Sequence, residues 1–248
     1  MTSPLAGRSA LITGASRGLG FEVARQFVLA GADVFLCARS ADSLEEARRS
    51  LDALVPGRRV VAMAGDVSSE SDVARMAEAA LAAFPDLQIL VNNAGIYGPM
   101  GPIEQVDLAA WRRAIDVNVF GSVLMTRACV PHFKRRGGGK IIQISGAGAT
   151  KPLANISAYA ASKAAVVRFA ETVADELRPF HVDVNAVAPG ALNTRMLDEV
   201  LAAGPDAVGH EFHARALAQK AGGGTPPARG AELCVFLASA ASDGITGK

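Results

Sequence analysis

A chain of 248 residues, half of them hydrophobic but only 5% aromatic, is long enough to bury a large core, and its dispersed Ala, Val, Leu and Ile suit a sheet covered by helices. The formal net charge is +1 with acids and bases interleaved, so no basic stripe is available to neutralise nucleic-acid phosphates. No run of 18 or more apolar residues and no cleavage-type leader is present, which points to a soluble, cytoplasmic protein without a membrane partner.

Short apolar runs near 9–13, 33–38, 59–64, 88–92, 140–145 and 182–187 read as strands, each followed by a helical pattern. Such alternation argues a doubly wound parallel sheet. The first helix is expected from Gly18 to Ala30, with Phe21, Ala24, Phe27 and Val28 on its buried face and Gly31 as its cap. No repeat or linker divides the chain, so one domain over 1–248 is expected. Residues 195–228 are irregular: "AAGPDAVG" and "KAGGGTPPARG" bracket a helical stretch, a pattern of mobile connections that suits a substrate lid or a plain surface loop. Cys37, Cys129 and Cys234 lie apart in apolar segments and read as buried thiols. His132, His181, His210 and His213 form no metal pattern, so no metal is expected. His210, Glu211 and His213 are candidates to meet a polar substrate or are solvated helix surface.

Between the first strand and first helix, "LITGASRGLGFEVARQF" sets Gly14, Gly18 and Gly20. Glycines let the backbone approach a pyrophosphate, and a helix N-terminus offers it N–H groups and a positive dipole; a tight turn with no ligand is the alternative. The acid that a dinucleotide site carries about 20 residues on is missing. "VFLCARS" has Ala38 there, followed by Arg39. Arg39, helped by Arg17, suits a 2′-phosphate through paired N–H donors, which favours NADP(H) over NAD(H); otherwise both are ordinary surface charges.

Taken together, TGASRGLG at 13–20, "GDV" at 65–67, "NNAG" at 92–95, "VNVFG" at 117–121, YAASK at 159–163 and "APGALNT" at 188–194 resemble the short-chain dehydrogenase/reductase family. The resemblance implies a Rossmann-like fold with strand order 3-2-1-4-5-6 and a nicotinamide cofactor. By it, Ser16, Arg17 and Leu19 join the glycines around the phosphates. Asp66 faces the adenine amino group and Val67 adds its N–H; Asn93, Ala94 and Gly95 lie beside the ribose. Pro189 and Gly190 meet the nicotinamide, and Leu192 and Thr194 hold its carboxamide and the phosphates. Asn93 and Asn118, taken singly, are also consistent with packing turns.

Lys163 follows Tyr159 by one helical turn on the same face. A nearby ammonium favours the phenolate and would bring a phenol of ordinary pKa about 10 toward neutrality, making Tyr159 a general acid/base. The implied reaction interconverts a carbonyl and a secondary alcohol. The resemblance adds that Lys163 bonds the nicotinamide ribose and that Asn118 holds a relay water.

Two features depart from the family. Its serine, about thirteen positions before the tyrosine, is Gly146 here, and Ser145 falls one place early, on the opposite strand face. Three readings follow: another donor from among Ser145, Thr150, Asn155 and Ser157, or from the substrate itself; a slower enzyme; or a cofactor-binding sensor or scaffold with little turnover. Secondly, the family continues past "ITG" into a seventh strand, whereas this sequence ends at Gly247–Lys248. An exposed sheet edge is then expected, with a homo-oligomer, dimer or tetramer, as the expected assembly. The pocket lining is expected from "GIYGPMGPIE" and from 195–228, where Tyr97 and Met100 are an apolar wall or core.

Overall fold

Burial on both faces of a parallel sheet calls for near-continuous apolar runs rather than alternation; the central segments SALIT, DVFLCA and ILVN follow that pattern, while the edge segment VDVNAV alternates. The computed structural model describes residues 3–248. Its strands are β1 (Ser9–Thr13), β2 (Asp33–Ala38), β3 (Val60–Ala64), β4 (Ile89–Asn92), β5 (Gly139–Ile144) and β6 (Val182–Val187), each within a residue of its expected bounds. They form one parallel sheet in the order β3-β2-β1-β4-β5-β6. This is the doubly wound, Rossmann-like fold expected. The order reverses between β1 and β4, and in such sheets ligands bind beyond the carboxyl ends of the strands at that point.

Successive strand residues serve opposite layers. Ala10 and Ile12, Val34 and Leu36 pack under α1 (Gly18–Leu29), α2 (Ala41–Asp52) and α9 (Pro227–Ala238). Leu11, Phe35 and Cys37 pack under α3 (Glu70–Ala83), α5 (Gly121–Arg136) and α6 (Ser157–Leu177). Helix α1 buries Val23, Ala24, Phe27 and Val28, with Phe21 only partly covered, and Gly31 at φ +93° follows its end. All three cysteines are buried free thiols. Burial pushes Cys129 and Cys234 up to about 12 and Cys37 higher still, so none is a nucleophile near neutral pH.

Helix α4 (Leu108–Ile115) runs into α5 through a wider π turn over Asp116–Phe120. The irregular region corrects its expectation in part. "AAGPDAVG" is no connection but the second half of α7 (Arg195–Val208), broken where Gly204 takes φ +79° and Pro205 restarts the helix. Helix α8 (His210–Ala221) follows at once, and Leu197, Val200, Val208 and Ala216 of the two helices close a small core on Tyr97 and Met100.

The sheet edge expected to be open is partly closed. Residues 245–248 run beside β6: Gly247 N–H donates to Val184 O (2.8 Å), Ala186 N–H to Lys248 O (2.6 Å) and Asn185 Nδ2 to Ile245 O (2.7 Å). Backbone groups of an edge strand need partners, and these four residues supply them. Among the described residues no helix is long and apolar enough to cross a membrane.

Candidate active site

Where β1 and β4 diverge, their ends are stitched by side chains. Thr13 Oγ1 accepts from Asn93 N–H (3.0 Å) and Ala94 N–H (3.1 Å), while Asn93 Nδ2 donates to Thr13 O (2.9 Å) and Gly14 O (3.1 Å). This fixes the glycine loop against β4. Gly14 and Gly18 take φ of +63° and +57°, a region costly for other residues. A Cβ at Gly20 would lie 2.3 Å from Gly14 O, so only glycine lets α1 start this close to the loop. The N-cap of α1, Arg17, provides no side-chain cap, and the first turn holds no acid.

The loop opens on a cleft of about 1140 Å³. Every residue expected to touch a cofactor lines it, from Gly14, Ser16, Arg17, Gly18, Leu19 and Gly20 through Arg39, Asp66 and Val67, Asn93, Ala94 and Gly95, to Tyr159, Lys163, Pro189, Gly190, Leu192 and Thr194. Asn118 lies beneath this surface, 1% exposed. A second cavity of about 620 Å³ opens at the other ends of the strands; there Lys140 is tied up by Asp183 (2.7 Å) and Asp243 (2.8 Å).

Arg39 leaves the end of β2 exposed on the cleft, and Arg17, at the start of α1, is exposed on it too. Asp66 is held by Arg113, which donates to its carboxylate and to Ser68 Oγ, while Ser68 N–H and Oγ donate to Asp66 Oδ1 at 3.0 and 2.8 Å. Burial alone would raise this carboxyl; the donors from Ser68 and Arg113 outweigh it and hold the group below the usual carboxylate range. Arg113 was not legible in the sequence, because nothing in its local pattern links it to a residue 47 positions away.

The π turn carries Asn118 inward. Its Oδ1 accepts from Ile96 N–H (2.8 Å), and its Nδ2 donates to Ile96 O (2.8 Å) and Ser162 Oγ (2.9 Å). The segment after β4 is thereby clamped to α6. Lys163, 5% exposed, donates to Ile144 O at 2.8 Å. Burial depresses it from 10.5 to about 8. Its ammonium stands 5.6 Å from the centre of the Tyr159 ring.

The expected lowering of Tyr159 is not what this arrangement produces. Burial, reinforced by the neighbouring Tyr97 phenol, pushes Tyr159 above its ordinary value. Lys163 is turned to a backbone carbonyl rather than to the phenol. Helical spacing placed the two side chains on one face but carried no information on desolvation, the largest cause of the rise.

Gly146 is fully extended, at φ 177°, a backbone any residue adopts. Its role is space: a Cβ there would lie 2.5 Å from the Tyr159 hydroxyl. The phenol oxygen thus rests against the Gly146 backbone, in the volume a side chain would take. Ser145 turns toward α6, its hydroxyl donating to Lys163 O at 3.2 Å. Thr150 is exposed and bonded back to Ala147 O (3.5 Å), and Ser157 Oγ accepts from Trp111 Nε1 (3.0 Å). Asn155 sits at φ +62° with its carbonyl accepting from Gly101 N–H. Of these four, only Ser145 lines the cleft. His210 and Glu211 are exposed on α8, Glu211 facing Arg215 at 3.5 Å, and His213 contacts Leu201 O at 3.4 Å; none of the three lines the cleft. The far wall instead holds Tyr97, Leu153, Met196, Leu197, Glu199 and Phe212.

The short chain dehydrogenase family model matches residues 8–204. The chain is 35% identical to cis-4-hydroxycyclohexanecarboxylate dehydrogenase of Sinomonas cyclohexanicum, over all of this chain and 95% of that one. Among solved structures, L-sorbose reductase from Gluconobacter frateurii, complexed with NADPH and L-sorbose, superposes with a TM-score of 0.88 at 31% identity, covering 100% of this chain and 95% of that one. The 3-ketoacyl-(acyl-carrier-protein) reductase from Brucella melitensis, complexed with NADH, does so at 0.85 and 34%, covering 98% and 95%.

Proposed function

This chain belongs to the short-chain dehydrogenase/reductase family of oxidoreductases, and on that footing we propose that it interconverts a carbonyl and a secondary alcohol with NADP(H) as the preferred cofactor. The observation that carries the reading is the convergence of the glycine loop, Arg39, Tyr159 and Lys163 on one cleft. The cradle fits a dinucleotide. A Cβ at Gly14 would meet Ala94 Cα and Asn93 Nδ2 at 2.9 Å, so only glycine fits where the loop closes on the segment after β4.

Relatives with NADPH and with NADH bound are both known, so the preference rests on residues. Arg17 and Arg39 line the cleft without a carboxylate partner among the described residues, and Ala38 stands where an acid would repel a 2′-phosphate. A guanidinium pairs with phosphate through two N–H donors.

When bound, the nicotinamide supplies the hydride to the carbonyl carbon or takes it back. Tyr159 gives its proton to the carbonyl oxygen in reduction and recovers one from the hydroxyl in oxidation. A phenol raised by burial stays protonated at neutral pH, as a general acid must. Lys163, lowered by burial to about 8, is charged at neutral pH and restores positive potential beside the phenolate formed after transfer. Asn118 keeps Ile96 and α6 in register around the pair. A small-molecule substrate enters against the far wall. Exposed Ile103, Leu108 and Phe120 on and around α4 favour a homo-oligomer.

The test follows NADPH oxidation over a panel of cyclic ketones and α-hydroxyketones. Tyr159→Phe is expected to abolish turnover while NADPH affinity, read by quenching of cofactor fluorescence, is kept. Retained turnover would sink the mechanism. Cofactor binding by a wild type that turns over no substrate would favour the sensor or scaffold reading.

A further inference from the structure

A carbonyl oxygen receiving hydride gathers negative charge, and a single donor leaves part of that charge unsupported. Gly146 supplies no hydroxyl; of the four side chains weighed for its place only Ser145 lines the cleft, and its hydroxyl donates to Lys163 O, while Thr150, Asn155 and Ser157 lie outside it. The second donor must therefore come from elsewhere in the cleft.

The chain contains two tyrosines, and they face each other. Tyr97, from the segment after β4, and Tyr159, from α6, have ring centroids 4.6 Å apart with planes tilted by 57°. Both line the cleft. Tyr97 is firmly placed: Ile96 before it is clamped through both backbone groups by Asn118, and its ring packs on the small core of α7 and α8. We propose that Tyr97 donates the second hydrogen bond to the substrate oxygen, beside Tyr159, and so is a further catalytic residue of this site.

The inference rests on the oxidoreductase reading above and assigns a division of labour within it. Burial and the negative charge of Glu199 both raise Tyr97 above its ordinary value, so it remains a donor throughout the cycle. Tyr159 exchanges its proton; Tyr97 keeps its own. Tyr97 borders the cleft from the segment after β4, and Gly146 borders it from the end of β5.

The experiment compares wild type, Tyr97→Phe, Tyr97→His and Tyr159→Phe as cofactor-loaded enzymes on the ketone of the panel that wild type reduces fastest. Phenylalanine keeps the ring and its packing but removes the donor. The expected result is a fall in kcat of about 100- to 1000-fold for Tyr97→Phe with NADPH affinity unchanged. Tyr97→His, which retains a ring N–H, should recover at least about tenfold of that loss, as expected of a hydrogen-bond donor. A kcat for Tyr97→Phe within about threefold of wild type overturns the proposal, since a lost oxyanion donor costs far more. So does a change confined to KM, or a loss of NADPH affinity, which would make the residue a packing element. Failure of the underlying reading looks different: an inactive wild type or an active Tyr159→Phe removes the reaction itself, and this inference with it. An inactive Tyr159→Phe beside an undisturbed Tyr97→Phe removes the inference alone.

Discussion

Adding a side chain at Gly146 tests whether the Tyr159 hydroxyl rests where the structure has it. A Cβ built there meets the phenol oxygen at 2.5 Å, whereas ordinary contact begins at 3.4 Å, so the oxygen must retreat by about 0.9 Å. The other atoms within reach are the adjacent ring carbon at 3.4 Å and Lys163 Cγ at 3.8 Å, so the tyrosine takes nearly all of the shift. A misplacement of about 1 Å in a catalytic group typically costs about 100-fold in rate. Gly146→Ala is therefore expected to lower kcat about 100-fold. The extended backbone adds no strain; overpacking costs about 1–3 kcal/mol of stability, offset by about 0.4–1 kcal/mol from a stiffer unfolded chain. Gly146→Ser incurs the same displacement but brings a donor, and is expected to lie above Gly146→Ala and below wild type. The assay is initial-rate NADPH oxidation at saturating ketone, with urea unfolding alongside. An undiminished kcat in Gly146→Ala refutes the reasoning, because the phenol would then not occupy that volume. A Gly146→Ser enzyme faster than wild type refutes it too, because the observed phenol position would be dispensable.

Two further outcomes follow from charge. Arg39→Asp is expected to reverse cofactor preference, weakening NADPH by at least about tenfold through loss of a charge-assisted pair while sparing NADH; unchanged ratios of kcat/KM for the two cofactors would remove Arg39 from the site. Burial lowers Lys163 from 10.5 to about 8, so between those pH values the unfolded chain binds a proton that the folded one does not, and this residue's contribution to stability rises with pH across the window. Below about 8 the penalty is constant, about 3 kcal/mol. In unfolding titrations of the cofactor-free protein, the stability of Lys163→Met relative to wild type should fall by about 3 kcal/mol from pH 8 to 10.5. The buried thiols act oppositely but equally in both proteins; a difference that stays flat with pH would place the lysine ammonium in water.

What could be read from the sequence was whatever depends on neighbours along the chain. The strands announce themselves as short apolar runs alternating with helical patterns, and the glycine loop does so because backbone approach admits no other residue. The Tyr159–Lys163 spacing was equally visible. Its electrostatic consequence was not, since the sign of a pKa change depends on how much water the fold removes, and that is decided by Tyr97 and the strands around the phenol. The same limit hid Arg113, whose partner Asp66 lies in the turn after β3 and meets α4 only in the folded chain. It also misread "AAGPDAVG": glycine followed by proline ends a helix in most settings, but proline is well placed in a first turn, so a helix broken at Gly204 starts again at Pro205 after a kink. The missing serine belongs to both categories. Its absence is a fact of spacing, but its meaning is three-dimensional. Two tyrosines 62 positions apart must first be folded onto one another before Gly146 can be recognised as room made for one phenol, with the other at hand to share the oxygen.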